Sequence, residues 1–254
     1  MIGNRIQMDE NAAARCRRAI EDVEELLRVG ENQWEESYFH QAVSKLAEAM
    51  GGAHECYRCH YQCGLLYSRL VSYYLHTTRD KESAKRILEK ALRHSQRSVE
   101  LNNASSDSHA LFGYTLAVQS GLLGFRGMTS GTRSKIEFER AFLNDASNPR
   151  LYLFRGICLY STPKFFGGGV SRACRELTHA VYLFEERGRN REELGWGRAE
   201  AWHWLARCYA KLGSEPEALK VLRKAQSIFP DHSRLAQSLK RIEQAQEQHG
   251  EILQ

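Results

Sequence analysis

The sequence predicts an all-α protein in which helix pairs stack as a right-handed α-α superhelix, or solenoid, of about eleven helices. Only four prolines occur in 254 residues. Ala, Leu, Glu, Lys and Arg, which favour helices, fill long stretches without glycine. A stripe of bulky and small residues spaced three and four positions apart also returns along the chain, and such self-similarity is typical of helical repeats.

The repeats are predicted to occupy residues 13–232 as about five helix pairs. Residues 1–12 are polar and are predicted to form an N-terminal tail. Residues 233–254 have sparse apolar positions among polar ones. This pattern is expected of a capping helix and tail that close a solenoid.

The predicted pairs share one register. The first pair joins an amphipathic helix over 13–29 to a second helix marked by Ala42 and Ala49. In each later pair, the first helix has a bulky residue followed four positions on by a small one, which allows the two backbones to approach closely. These residues are His60 and Gly64, His109 and Gly113, Tyr152 and Gly156, and Trp202 and Ala206.

The repeat over 199–232 is the most complete. Trp202, Leu205, Ala206 and Tyr209 follow the W-x2-L-G-x2-Y spacing, and Pro230 closes the unit. This segment resembles the tetratricopeptide repeat, which is about 34 residues long. The chain is therefore predicted to be a TPR-like solenoid.

The turn inside that repeat has its own signals. Gly213 is predicted to end the first helix, because glycine adopts the left-handed backbone conformation that follows many helices. Ser214 and Glu217 are predicted to form a capping box that opens the second helix.

Two connections are predicted to be longer than a repeat needs, Gly121 to Lys135 and Ser161 to Arg172. Equivalent turns of a solenoid project from one edge, so we expect these insertions to be neighbours and to mark a binding edge. Their side chains are predicted either to form an exposed interaction hot spot or to fold back over the core. The insertion-edge residues are Phe125, Arg126, Met128, Lys164, Phe165 and Phe166.

The run from Asn148 to Gly169 contains NPR followed by G-x-x-L-Y-x-T-P-K-x-F-G-G-G. It resembles a family of small bacterial tetratricopeptide-repeat proteins, and more distantly the repeat component of periplasmic solute-binding (TRAP-type) transporters. The first resemblance implies the fold. The second implies an alternative function, as an exported helper of a solute-binding transport system.

First helices line the concave groove of such repeats, and the shared register predicts which residues face it. A basic and aromatic lining suits an extended acidic peptide or a carboxylate, because Arg offers two-point hydrogen bonding and Tyr offers rigid contact area. The alternative is that these side chains are merely solvated. The predicted groove residues are Arg58, Tyr61, Arg69, Tyr114, Arg150, Tyr160, His203, Arg207 and Lys211.

Cys56, Cys59 and His60 form a C-x-x-C-H motif, which attaches c-type haem in exported proteins. The repeat register gives His60 a packing role instead. A zinc site could also use Cys63 or His54, but structural zinc sites usually combine two C-x-x-C knuckles and the chain has one. Neither a cofactor nor a metal is therefore expected, and haem carriage remains a minor alternative.

Other features restrict the function classes. The net charge of +5 comes from Lys and Arg interleaved with acids, which argues against nucleic-acid binding. No apolar run suggests membrane insertion, and no secretory signal is recognised, so a cytoplasmic location is expected; periplasmic is the alternative if a leader has been removed. Catalytic motifs are not found. We expect a non-enzymatic adaptor with a protein or acidic peptide as partner; the sequence does not indicate an oligomeric state.

Overall fold

The computed structural model of the protein describes residues 2–51, 56–187 and 196–252. Within these ranges every regular element is helical and eleven α-helices are present, which confirms the predicted all-α class. No helix in the described ranges combines the length and apolar character that a bilayer crossing requires.

The chain divides into two compact units. Unit 1 comprises residues 1–30 and 35–146, and unit 2 comprises residues 31–34 and 147–254. The helices of unit 1 are α1 (Ile2–Gln33, with its last residues assigned to unit 2), α2 (Glu36–Ala49), α3 (Tyr57–Tyr73), α4 (Lys81–Leu101), α5 (Ser106–Leu123) and α6 (Met128–Asn144). The helices of unit 2 are α7 (Pro149–Ser161), α8 (Val170–Arg187), α9 (Arg198–Lys211), α10 (Glu215–Ile228) and α11 (Ser233–Ile252).

The described residues near both ends of the chain are helical. Residues 2–12, predicted as a polar tail, are the beginning of α1. The segment after the last repeat is α11, which packs on α10 and α9.

Consecutive helices pack in pairs as the repeat register predicts: α3 on α4, α5 on α6, α7 on α8, and α9 on α10. Small residues stand at the points of closest approach. A Cβ added at Gly64 would lie 3.1 Å from the backbone nitrogen of Ser95, and one at Gly156 would lie 2.6 Å from Cγ of Leu177. At these positions a side chain has no room, which explains the small residue in the repeat pattern.

Side-chain caps begin several helices. Asp80 accepts backbone N–H bonds at the start of α4, and Asn148 accepts one from Arg150 at 2.9 Å at the start of α7. Gly213 follows α9 with a φ of +77°, as predicted. The predicted capping box of α10 is wrong, because Ser214 occupies the N-cap position but its side chain makes no capping hydrogen bond.

The predicted connection from Gly121 to Lys135 is also wrong in extent. Helix α5 continues to Leu123, a 3-10 turn spans Gly124–Gly127, and α6 starts directly at Met128. This tight turn requires glycine, because a Cβ on Gly127 would lie 2.5 Å from the carbonyl oxygen of Ser120. The second connection is closer to expectation, with a short 3-10 turn at Lys164–Phe166 between α7 and α8.

Candidate binding site

The predicted groove residues differ widely in exposure. Arg58 and Lys211 are exposed and Tyr160 and Arg207 are half-buried. The remaining five are buried: Tyr61, Arg69, Tyr114, Arg150 and His203. Helical register assigns a residue to a face of its helix, but neighbouring helices decide how deeply that face is covered.

Arg150 shows how a predicted groove residue becomes part of the interior. Its guanidinium carbon lies 4.9 Å from the centroid of the Trp196 ring, and only 3% of the residue is exposed. A cation held in this way stabilises the packing of unit 2 and has little surface to offer a partner.

Four of the predicted residues meet in unit 2, around a tryptophan that the prediction did not include. We call Tyr160, His203, Trp204, Arg207 and Lys211 the aromatic-basic cluster. The Tyr160 and Trp204 rings lie edge to face with their centroids 5.3 Å apart. The Arg207 guanidinium carbon is 4.1 Å from the Trp204 centroid and 5.1 Å from that of Tyr160.

Lys211 completes this arrangement from the last turn of α9. Its ammonium nitrogen lies 4.5 Å from the centroid of the Tyr160 ring. Across the described residues, neither Arg207 nor Lys211 makes an ion pair or hydrogen bond with an acidic side chain. Within the part of the chain that the structure describes, both cations therefore contact aromatic rings, and no carboxylate accepts a hydrogen bond from them.

A buried carboxylate anchors the tryptophan. The Trp204 indole N–H donates to Glu200 Oε1 at 3.2 Å, and Arg234 Nη1 lies 4.0 Å from the same oxygen. Arg234 also stacks on the ring of Trp34, with its guanidinium carbon 4.0 Å from the ring centroid. The hydrogen bond to Glu200 fixes the indole of Trp204, and the indole in turn supports the guanidinium of Arg207. Side chains fixed in this way lose little conformational entropy when a ligand binds.

His203 marks the positive character of this region. Burial, foremost, together with Arg234, Arg207, His232 and Arg241, holds the pKa of His203 well below its usual range. Its side chain is 6% exposed, and Nδ1 has no hydrogen-bond partner among the described residues. Burial and the nearby cations both favour the neutral form of this histidine.

Sequence reasoning missed Trp204 because the repeat pattern assigns a structural role to Trp202 and none to Trp204. A signal was present in the spacing. Trp204 follows Glu200 by four residues and precedes Arg207 by three, which places all three on one face of α9.

The insertion-edge residues do not fold back over the core. Phe125 is 83% exposed and Met128 is 65% exposed in unit 1, while Phe165 is 92% exposed in unit 2. Arg126, Lys164 and Phe166 are exposed as well. Phe165 and Phe166 contact each other edge to face, with ring centroids 5.2 Å apart. Unit 1 therefore exposes Phe125 and Met128 near Arg126 in sequence, and unit 2 exposes two contacting phenylalanines that follow Lys164.

Two surface cavities lie elsewhere. A cavity of about 300 Å³ in unit 1 is lined in part by His109 and Arg140. His109 Nδ1 lies 2.6 Å from Glu137 Oε2, and Nε2 lies 2.9 Å from the backbone oxygen of Asn103. Because both ring nitrogens already face oxygen acceptors, His109 joins helices and is not placed to act as a base on a substrate. The other cavity, of about 600 Å³ in unit 2, includes Tyr182 and Tyr209 in its lining.

The cysteines of the C-x-x-C-H motif lie at the beginning of α3. Cys59 is fully buried, and His60 Nδ1 faces His94 Nδ1 at 3.1 Å. Foremost the Cys59 thiol, then the backbone N–H groups in the first turn of α3, lower the pKa of Cys56 to about 5. Haem attachment needs two accessible thiols and a histidine free to bind iron. The positions of Cys59 and His60 do not meet these requirements.

Comparison with known proteins agrees with this architecture. Residues 199–243 match the tetratricopeptide-repeat family. The fold is similar to that of the HusA haemophore from Porphyromonas gingivalis, with 17% identity over 75% of this chain and 92% of that one and a TM-score of 0.60. It is also similar to a thermophilic tetratricopeptide-repeat protein of Thermus thermophilus, with 17% identity over 85% and 98% of the two chains and a TM-score of 0.54. No curated protein sequence gives a significant match.

The chain therefore carries a tetratricopeptide repeat over residues 199–243, within a fold similar to that of tetratricopeptide-repeat proteins. At this level of identity the structural likenesses establish the fold alone. The relation of the Asn148 to Gly169 run to one bacterial family, and to transporter components, stays a prediction.

Proposed function

We propose that the protein is a non-enzymatic adaptor that binds an acidic segment of a protein partner at the aromatic-basic cluster of unit 2. One observation carries this proposal: Arg207 and Lys211 lie against the rings of Tyr160 and Trp204 and have no acidic partner in the described part of the chain. A carboxylate of the partner would supply the missing counter-charge.

The chemistry of the cluster favours an extended acidic peptide. The Arg207 guanidinium can donate two parallel hydrogen bonds to a carboxylate, and Lys211, one turn further along α9, can pair with a second acid. The tyrosine and tryptophan rings provide rigid apolar area for the peptide between its charges. A surface of arginine and aromatic residues is typical of interaction hot spots.

A second contact is proposed for the exposed patches at the insertions, formed by Phe125 and Met128 in unit 1 and by Phe165 and Phe166 in unit 2. Apolar side chains this exposed, each beside a cation, are common where proteins meet. These patches would add area to a complex that the aromatic-basic cluster orients.

We also propose that the protein is located in the cytoplasm.

The proposal can be tested with a fluorescein-labelled oligoglutamate peptide and, in parallel, by affinity purification of the whole chain with mass spectrometry. We expect saturable peptide binding, and co-purification of a stoichiometric partner. The double variant Arg207→Glu with Lys211→Glu should lose both.

The matched control is Arg175→Glu with Lys220→Glu, which changes the net charge equally at two exposed positions of unit 2 outside the cluster. The control should bind as the unchanged protein does. If the cluster variant and the control bind the peptide and the partner equally well, the assignment to this cluster is wrong.

A further inference from the structure

Three cysteines converge in unit 1 although the chain separates them widely. Cys16 comes from α1, Cys56 is the N-cap of α3, and Cys59 is in the first turn of α3. Their three Sγ atoms all lie within 4.8 Å of one another. All three thiols are free.

We propose that Cys16, Cys56 and Cys59 form a binding site for one thiophilic metal ion, of the class of copper(I) and zinc(II), held by three thiolates. The inference is independent of the peptide-binding proposal, because it concerns other residues and another unit.

The geometry is close to what coordination requires. Three thiolates that bind one ion at about 2.3 Å stand about 4 Å apart. The present separations of up to 4.8 Å can close by small rotations of the cysteine side chains. A C-x-x-C pair supplies two ligands in many zinc sites, and here Cys16 adds a third sulfur from another helix.

Burial and charge support the same assignment. Cys16 is 1% exposed and Cys59 is 0% exposed, whereas Cys56 is half-buried, so an ion in solution can reach its thiol first. Arg58 interacts electrostatically with Cys56, and Arg15 interacts with Cys16. These cations offset the negative charge that three thiolates leave on the bound ion, and each cysteine that is still protonated releases its proton to solvent when it binds.

The number of sulfurs and their softness distinguish a thiophilic metal site from a disulfide and from a site for magnesium or calcium. A disulfide would use two of the sulfurs and leave the third, whereas one ion uses all three. Soft thiolate ligands select copper(I) and zinc over magnesium or calcium. Three sulfurs satisfy trigonal copper(I), and zinc would take a water as its fourth ligand.

The test uses the full-length protein, fully reduced and freed of metal without oxygen. Copper(I) and zinc(II) are titrated separately in competition with a chromophoric chelator, and cobalt(II) is added to detect thiolate-to-metal charge-transfer absorption. We expect one equivalent of copper(I) or zinc(II) to bind, with the charge-transfer band present in the cobalt form. Binding of either ion supports the site, and the relative affinities identify the preferred one.

Cys56→Ser is the decisive variant, because serine is favoured at an N-cap and should leave α3 intact. Cys56→Ser and Cys16→Ser should each weaken binding at least about tenfold, as loss of one of three ligands implies. Cys63→Ser, a change of a buried cysteine one turn further along α3, is the matched control and should retain the stoichiometry. Far-ultraviolet circular dichroism verifies that each variant is folded.

Two results would overturn the proposal. One is metal binding that is the same in Cys16→Ser, Cys56→Ser and the control. The other is a reduced protein that takes up neither ion. If oxidised glutathione, added as the two-electron oxidant, then converts the Cys56 and Cys59 thiols to a disulfide, the pair is a thiol redox couple.

Discussion

The cysteine site of unit 1 and the aromatic-basic cluster of unit 2 are built in opposite ways. Cys16 and Cys56 lie on different helices and far apart in sequence, and their thiols meet at a largely buried point. Most of the aromatic-basic cluster lies on one face of the single helix α9, and its cations remain accessible. The first arrangement suits a small ion that is enclosed, and the second suits a chain that lies across a surface.

The largest expected effect concerns the enclosed site. Copper(I) or zinc(II) at one hundred times its dissociation constant should raise the free energy of unfolding by about 2.7 kcal/mol, because the ion binds the folded state. Urea unfolding followed by circular dichroism measures this change. At the same ion concentration Cys16→Ser should reduce the stabilisation to about 1.4 kcal/mol or less, as tenfold weaker binding implies, and Cys63→Ser should keep it in full. An equal increase in both variants would argue against the cysteine site.

The second prediction tests whether the close packing of α7 on α8 supports the aromatic-basic cluster. Gly156→Ala should destabilise the protein by about 2 kcal/mol, because the added Cβ would lie 2.6 Å from Leu177 Cγ. Gly156 precedes Tyr160 by one turn of α7, so peptide affinity should also fall, while the metal stoichiometry in unit 1 should not change.

Gly121→Ala is the control for that substitution. Gly121 lies within α5, and a Cβ there would meet no atom within 4 Å. Alanine favours helix over glycine, so this change should stabilise the protein by about 0.5 to 1 kcal/mol. Chemical unfolding of both variants decides the contrast; a loss of stability in Gly121→Ala would contradict it.

Single substitutions in the aromatic-basic cluster should cost about 1 to 2 kcal/mol of peptide binding. Arg207→Ala removes the two-point donor, and Arg207→Lys should restore only part of the affinity, because an ammonium group cannot reproduce the planar fork. Fluorescence anisotropy with the oligoglutamate peptide measures both. Affinity should also decline as salt rises, and an affinity independent of salt would exclude the charge-based account.

Each unit also contains a histidine whose pKa is lowered mainly by burial, so the stability of the protein should depend on pH in mildly acidic solution. Burial, foremost, with His60, Arg93 and Lys90, lowers the pKa of His94 to about 4. An unfolded histidine titrates near 6.5, so the unfolded chain binds the additional proton between these two values. The stability due to neutral His94 is therefore fully present above about pH 6.5 and is lost as pH falls towards 4.

Since His94 is only partly buried, we expect this loss to be about 1 kcal/mol. Urea unfolding at a pH above and a pH below that window measures it. In His94→Gln the difference between the two pH values should be smaller than in the unchanged protein, with His40→Gln as a surface control. A pH dependence that is identical in all three proteins would contradict the assignment.

The smallest effect is expected at the insertion of unit 2. Phe165 is 92% exposed, so Phe165→Ser should change the free energy of unfolding by no more than about 0.5 kcal/mol. If the patch contacts the partner, the same variant should reduce partner recovery in affinity purification. A large loss of stability would mean that Phe165 packs on the core.

The repeat pattern by itself determined the fold class. The bulky and small residues at His109 and Gly113, or at Trp202 and Ala206, recur in a register that has a mechanical cause, since paired helices need room at fixed points. The same register placed Tyr160, Arg207 and Lys211 together. It failed at Arg150 and Tyr61, because the depth of burial depends on neighbouring helices that a one-dimensional pattern does not contain.

Only the tertiary structure could bring Cys16 to Cys56 and Cys59, or show that Trp204 holds Arg207. The sequence showed one C-x-x-C motif at the start of a helix, and without a second such motif it predicted no metal site. The third sulfur, that of Cys16, comes from α1, and the repeat pattern gives no indication that α1 lies next to the start of α3. Contacts within a repeat follow from residue spacing, whereas contacts between distant helices are decided by how those helices pack.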